Sequence, residues 1–260
     1  MGEKINLAGQ RSGPKRARRG AMAVSALALA AALAACSSEQ PGSGASASDS
    51  GAASTPVATQ AQAQAAASNA VDFEALEAKG YAIGDIMLGD PDAPVTLIEY
   101  ASLTCPACKD FHDNTLPAVK RDYIDSGKVK MVVREMYRFR IGLYAAAIAR
   151  CAGPDKYHAF LNVIFDRQDN FRTQDERANL EELRRIGKIG GLSPEAIDAC
   201  LTDNAYLNAL LQQNAEAIEA DGVQATPWLI VEAPGGEREV IRGAAGASQL
   251  GTAIDNALGG

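Results

Sequence analysis

Two cysteines three positions apart, Cys105 and Cys108, stand between a strand-like run and a helix-like run. The run before them is Val95-Thr96-Leu97-Ile98-Glu99-Tyr100, apolar enough for a strand buried on both faces. After them, Cys108, Phe111, Thr115 and Val119 recur near one face of a helix expected to reach about Ile124. A CxxC at a strand-to-helix junction constrains a fold more than any other stretch of this chain, because it reads as a redox dithiol. At a helix N-terminus Cys105 meets unpaired backbone N–H groups and the positive end of the helix dipole. Both favour a thiolate, so Cys105 is the expected attacking sulfur, with Cys108 one turn on to close a disulfide. Pro106 suits the first turn, where its missing N–H has no helical partner anyway. Half of a zinc site has the same spacing, but the chain holds no second CxxC and only two histidines, His112 and His158.

The rest of the chain says where such a dithiol works. Lys15, Arg16, Arg18 and Arg19 precede an Ala/Leu-rich run from Ala21 to Ala35, broken only by Ser25. That pattern predicts a signal peptide over 1–35, the run being short for a membrane span. It ends in Leu33-Ala34-Ala35-Cys36, which resembles a bacterial lipobox and implies cleavage before Cys36 with a lipid on its sulfur. A plain secretory signal or an uncleaved anchor is the alternative, and each exports the remainder. Removing 1–35 takes six of the 25 basic residues and one of the 32 acidic ones, leaving 19 against 31. So acidic an exported domain is a poor nucleic-acid binder. Cys151 and Cys200 are then left over; in an oxidising compartment they are expected to form a structural disulfide, with two buried free cysteines as the alternative.

Ser37 to Ala70 is Ser, Ala, Gly, Gln, Pro and Thr with almost no large apolar residue. It cannot bury enough surface to offset its ordering entropy and reads as a disordered tether. A short helix is expected at Val71–Ala78, an edge strand at Ile83–Leu88 and a turn at Asp90–Pro94. Pro117 should kink the helix after Cys105. Val129–Val133 is the next strand, making a βαβ unit. From Gly142 to about Ala220 the pattern is almost wholly helical: Leu143–Cys151, Tyr157–Phe165, a helix opened by a Thr173/Glu176 capping box, one opened by Ser193-Pro194, and a long one over Ala205–Ala220. Trp228–Val231 and Glu239–Ile241 then form a hairpin, and Ser248–Leu258 a closing helix.

The βαβ unit with Cys-Pro-Ala-Cys, the helical insertion, Ala225-Thr226-Pro227 before a hairpin, and the closing helix resemble the DsbA-like thiol:disulfide oxidoreductases of the thioredoxin superfamily, over about Gly84 to Leu258. The resemblance implies an α/β, thioredoxin-like fold with an inserted all-helical subdomain. It divides the chain into 1–35 signal peptide, 36–70 lipidated Cys36 and tether, 71–141 first part of the thioredoxin-like domain, 142–222 helical insertion, and 223–260 second part. It implies that Pro227 follows a cis peptide bond beside the two cysteines and that the Thr226 backbone pairs with a substrate chain. It implies a buried acid at Glu99 that relays protons to or from a thiol; from the residues alone, Glu99 also reads as an acid at a strand end reaching water, and Lys130 as its basic partner. Cys151 and Cys200 match a second disulfide that some relatives carry. No cofactor is implied.

By the same resemblance the oxidised pair accepts electrons from unfolded or partly folded secreted chains, and a DsbB-like membrane oxidase restores it, on the periplasmic or cell-envelope side. The chain departs from the family's best-known oxidant at Ala107, where that protein has His, and at Thr226, where it has Val. Both changes point to a less oxidising disulfide. Three rivals stand beside this reading. The first is a reductase or isomerase on the same fold. The second is a copper-binding module using Cys105, Cys108 and His112, although a histidine such as His112 more often just packs or caps on an exposed face. The third is a non-catalytic substrate-binding lipoprotein.

Overall fold

A computed structural model of the chain describes residues 71–259. The signal peptide, Cys36 and the tether expected over 1–70 lie outside these residues. Five strands form one mixed sheet in the order β1-β3-β2-β4-β5: β1 Met87–Leu88, β2 Val95–Ala101, β3 Val129–Glu135, β4 Trp228–Glu232 and β5 Arg238–Arg242. Only β2 and β3 are parallel, Glu99 lying opposite Val133. On its other side β2 pairs antiparallel with β4, Glu99 opposite Leu229.

Alternation along these strands makes two cores. Val95, Leu97 and Ala101 of β2 face one way with Met131, Val133, Leu229 and Val231, into a cluster that also holds Cys108, Phe111 and most of the helical block. Ile98, Tyr100, Trp228 and Ile230 face the other way. Period two places Glu99 with Leu97, toward the first core, which decides its partners below.

The helix after the cysteines is not a single α-helix. It runs as α2 Pro106–Asp110, a π turn Phe111–Thr115, α3 Leu116–Val119 and a second π turn Lys120–Ile124. Pro117 accounts for the first widening: it has no N–H for the carbonyl four residues back, and the Leu116 N–H reaches Phe111 O, five residues back. Ahead of the sheet stands α1, Phe73–Ala78, capped by Asp72.

Between β3 and β4 come α4 Arg140–Cys151, α5 Pro154–Asp166, a 3₁₀ turn Gln168–Phe171, α6 Glu176–Ile189, α7 Pro194–Thr202 and α8 Asn204–Asp221. Ser193 caps α7 and Gly222, at φ 61, ends α8. The closing helix is α9, Ala247–Ala257. A buried ion pair ties α4 to the sheet. The Arg150 guanidinium donates to Glu135 Oε1 and Oε2 at 2.8 and 2.7 Å and to Gly84 O at 2.7 Å, while the Tyr157 hydroxyl donates to Glu135 at 2.7 Å. A buried pair with its lone pairs used in this way holds position, whereas a half-satisfied one would destabilise.

Two local expectations are corrected. The edge strand keeps only Met87–Leu88, because Gly84 turns at φ 79 and Ile83 and Ile86 sink into the core instead of pairing. The capping box at Thr173 does not form: Asp175 caps α6, accepting from Ala178 N at 3.0 Å, and Thr173 Oγ1 is taken by the buried Asn179 at 2.8 Å.

Candidate active site

Cys105 is the N-cap of α2, with extended backbone and Pro106 in the first turn. Its N–H donates to Ser102 O at 2.9 Å and its C=O accepts from Lys109 N at 3.1 Å. Cys108 is fully buried, Cys105 half-buried, and both stand as free cysteines. The Thr226–Pro227 peptide is cis. Its Thr226 carbonyl lies 3.6 Å from Cys105 Sγ and accepts from the thiol.

The two sulfurs are driven apart in acidity. Cys105 is lowered from an ordinary 9.0 to about 5. The largest cause is the hydrogen bond from the Cys108 thiol; burial opposes it, and the Thr226 side chain and the Cys108 and Ala107 N–H groups add to it. Cys108 is pushed strongly upward by its bond to Cys105, by burial, and by the charges of Glu99 and Cys105. The Ser102 N–H, 3.4 Å from Cys108 Sγ, offsets only part of this. One sulfur is thus the ready nucleophile and the other holds its proton.

Glu99 is 0% exposed. Its partner is not Lys130, which sits opposite Thr96 and donates to Pro91 O at 2.9 Å. Its partner is His112: His112 Nε2 and Glu99 Oε2 share a hydrogen bond of 2.8 Å. His112 is therefore not a surface residue but 8% exposed, its ring 4.2 Å from that of Phe165. With Nε2 turned to Glu99, it does not join Cys105 and Cys108 as a soft ligand set. Among the described residues no group of three or more His, Cys, Asp or Glu is placed to hold a metal. The signal for His112 lay in its spacing: four residues after Cys108, it shares the buried face of the helix.

Gln168 was not foreseen. From the 3₁₀ turn after α5 its Nε2 donates to Leu103 O at 3.1 Å and to Cys105 O at 3.0 Å, wholly buried. It pins the active-site loop to the helical block across more than sixty residues of sequence, and no local pattern announces such a contact. Cys151 and Cys200, at the end of α4 and within α7, are joined by a disulfide with Cα atoms 6.2 Å apart.

A dithiol whose first sulfur caps a helix and faces a cis-proline loop, on a sheet of this order, defines a thioredoxin-type redox protein. The family model described as Thioredoxin matches residues 82–256. The chain belongs to the thioredoxin family, in its DsbA-like branch. A Rickettsia typhi protein named as a candidate protein-disulfide oxidoreductase is 33% identical over 175 residues, 67% of this chain and 62% of that protein. The chain thus spans less than two thirds of that relative's length. Disulfide bond formation protein D of Bacillus subtilis is 28% identical over 153 residues, 57% of this chain and 68% of that one. The crystal structure of Wolbachia pipientis alpha-DsbA1 superposes with a TM-score of 0.63 at 30% identity, covering 68% of this chain and 92% of that chain.

Proposed function

We propose that this chain is an exported, lipid-anchored thiol:disulfide oxidoreductase that introduces disulfides into secreted polypeptides through Cys105 and Cys108. The observation that carries the reading is the split between the two sulfurs: a half-buried, helix-capping Cys105 with its pKa lowered to about 5, and a buried Cys108 held as a thiol. A thiol of low pKa is a good leaving group, so a mixed disulfide through Cys105 is resolved readily toward substrate oxidation.

The steps balance as follows. A substrate thiolate attacks Cys105 Sγ of the oxidised pair; the Cys105–Cys108 bond breaks and Cys108 leaves with the electron pair and takes a proton. A second substrate thiolate attacks the substrate sulfur of the mixed disulfide, and Cys105 leaves as thiolate. Two substrate thiols become one disulfide and the pair is left reduced. A membrane partner then accepts the electrons, a DsbB-like oxidase in this reading. The Thr226 carbonyl and cis-Pro227 offer an edge for backbone pairing with the substrate. Glu99 exchanges the Cys108 proton, and Cys36 carries the lipid that keeps the domain at a membrane. Among the described residues no helix is long and apolar enough to cross a membrane.

The reverse direction, a reductase, is favoured by one feature: Ala107 gives the Cys105 sulfur a backbone N–H and no side-chain donor. The dithiol chemistry itself is tested by Cys108→Ser in the full chain mixed with a reduced, unfolded secreted protein. Mixed disulfides through Cys105 should accumulate on a non-reducing gel and vanish with Cys105→Ser. A Cys108→Ser protein that traps nothing would remove the basis for this function.

A further inference from the structure

The mechanism above gives no task to His112, a buried titratable side chain next to Glu99. His112 lies on the first π turn, with its ring between the sheet and Phe165, and touches neither sulfur in any recorded hydrogen bond. Its Nε2 is spent on Glu99 Oε2 at 2.8 Å. The two outer atoms of this pair, Glu99 Oε1 and His112 Nδ1, are buried without a hydrogen-bond partner among the described residues. Buried polar atoms in native proteins are paired in the great majority of cases, and each exception calls for a reason, a redox or catalytic role among them. Here the two open atoms sit at opposite ends of one hydrogen-bonded unit. The Glu99 side chain is fully buried, on the core face of β2 where Cys108 also packs; the His112 side chain keeps 4% exposure.

We propose that His112 is the positioning partner of Glu99 and the outer member of a two-residue proton path between Cys108 and solvent. This rests on the dithiol reading given above. The path balances as a neutral unit of two protons. A proton from Cys108 enters at Glu99 Oε1, directly or through one water; the proton shared by Oε2 and Nε2 shifts onto His112; and the proton on the buried Nδ1 passes to solvent through an entering water. Cys108 becomes the thiolate that attacks Cys105, and no net charge is added to the buried pair. The reverse order returns a proton to Cys108 when it is the leaving group. The Glu99 carboxyl group alone has no water-exposed edge through which a proton could pass. Titratable groups near this unit include Cys108 on α2 and His158 on α5; burial lowers the pKa of His158 first, and the charge of His112 adds to it.

The test uses the full chain with Cys36→Ser, reduced at the pair, so that Cys105 and Cys108 are its only free thiols. It is mixed with dithionitrobenzoate in stopped flow. The first thionitrobenzoate released reports attack by Cys105; the second reports attack by Cys108 on the mixed disulfide. His112→Phe and the polar His112→Gln are each expected to leave the first phase unchanged. Each should slow the second by about tenfold or more at neutral pH, within the range for a positioned acid–base group. The second phase should then rise about tenfold per pH unit, because Cys108 must ionise unaided. In a Glu99→Gln background the same His112 changes should add less than about twofold, since His112 acts through Glu99. An unaltered second phase and pH profile in either folded variant would overturn the proposal, and so would effects of Glu99 and His112 that simply multiply. A protein that never releases the second equivalent, wild type included, would instead overturn the dithiol reading.

Discussion

The redox potential of the Cys105/Cys108 pair is expected to depend on pH with a break near 5. Cys105 is a thiol lowered from 9.0 to about 5, and Cys108 is raised and stays protonated through the neutral range. Between about pH 5 and 9, reduction of the disulfide therefore takes up two electrons and one proton. A tenfold change in the equilibrium constant of a two-electron couple is about 30 mV, so the potential should fall by about 30 mV per pH unit there. Below about pH 5 both sulfurs bind protons and the slope should double to about 59 mV. The same ionisation sets stability. A depressed folded-state pKa favours the folded reduced protein; the contribution is full above the unfolded value of 9.0 and is lost progressively as pH falls from there to about 5. At pH 7, two pH units above the folded value of about 5, the unscreened linkage would be about 3 kcal/mol. Cys105 is only half-buried, so solvent screening should leave about half of that. The oxidised form has no such contribution, and the difference between the two forms cancels every other titrating group that is insensitive to the redox state. The assay is equilibration in glutathione buffers from about pH 4.5 to 8 with alkylation of the free thiols, alongside urea unfolding of both forms. A slope near 59 mV per unit from pH 6 to 8 would show that Cys105 is an ordinary thiol and refute the reasoning.

Two further outcomes are expected. Replacing Cys151 and Cys200 with serine removes a cross-link spanning 49 residues, which should cost about 2–4 kcal/mol by urea unfolding; Cys105 alkylation should not change, because the disulfide lies in the helical block away from α2. Gln168→Leu strands the Leu103 and Cys105 carbonyls in a buried site, at a cost of about 1–3 kcal/mol. It should also raise the midpoint of Cys105 alkylation against pH as the loop loosens; an unchanged midpoint would mean that α2 alone holds Cys105.

Much of this site was legible because its signals are local. A CxxC between an apolar run and an amphipathic one fixes where a helix starts, and with it the field that Cys105 feels. Ser193-Pro194 marked a helix start for the same reason: it acts on the backbone next to it. Thr173 misled because local partners compete: Asp175 takes the Ala178 N–H, and the Thr173 hydroxyl turns to the buried Asn179 six residues on. The partner of Glu99 was misassigned because it depends on register and on helix phase together. Only once Glu99 lies opposite Val133 does Lys130 fall three residues short, and only the π turn at Pro117 and the shared face with Cys108 bring His112 underneath. Gln168 was beyond reach, since it acts between segments far apart in sequence.

The same geometry explains why two identical side chains behave as opposites. Cys105 ends the backbone run before the helix, where N–H groups converge and the Cys108 thiol can donate to it. Cys108, one turn further, turns its own N–H toward the Cys105 sulfur, lies in the apolar core, and feels the charge of Glu99. Lowering one pKa and raising the other are therefore a single event, the proton of Cys108 being the one that stabilises the Cys105 thiolate. It follows that Cys105 can attack without assistance, whereas every turnover in which Cys108 attacks or leaves must move a proton through the core. The step that needs help from the protein is the buried one, and there the chain places a carboxyl group, an imidazole and two unpartnered atoms.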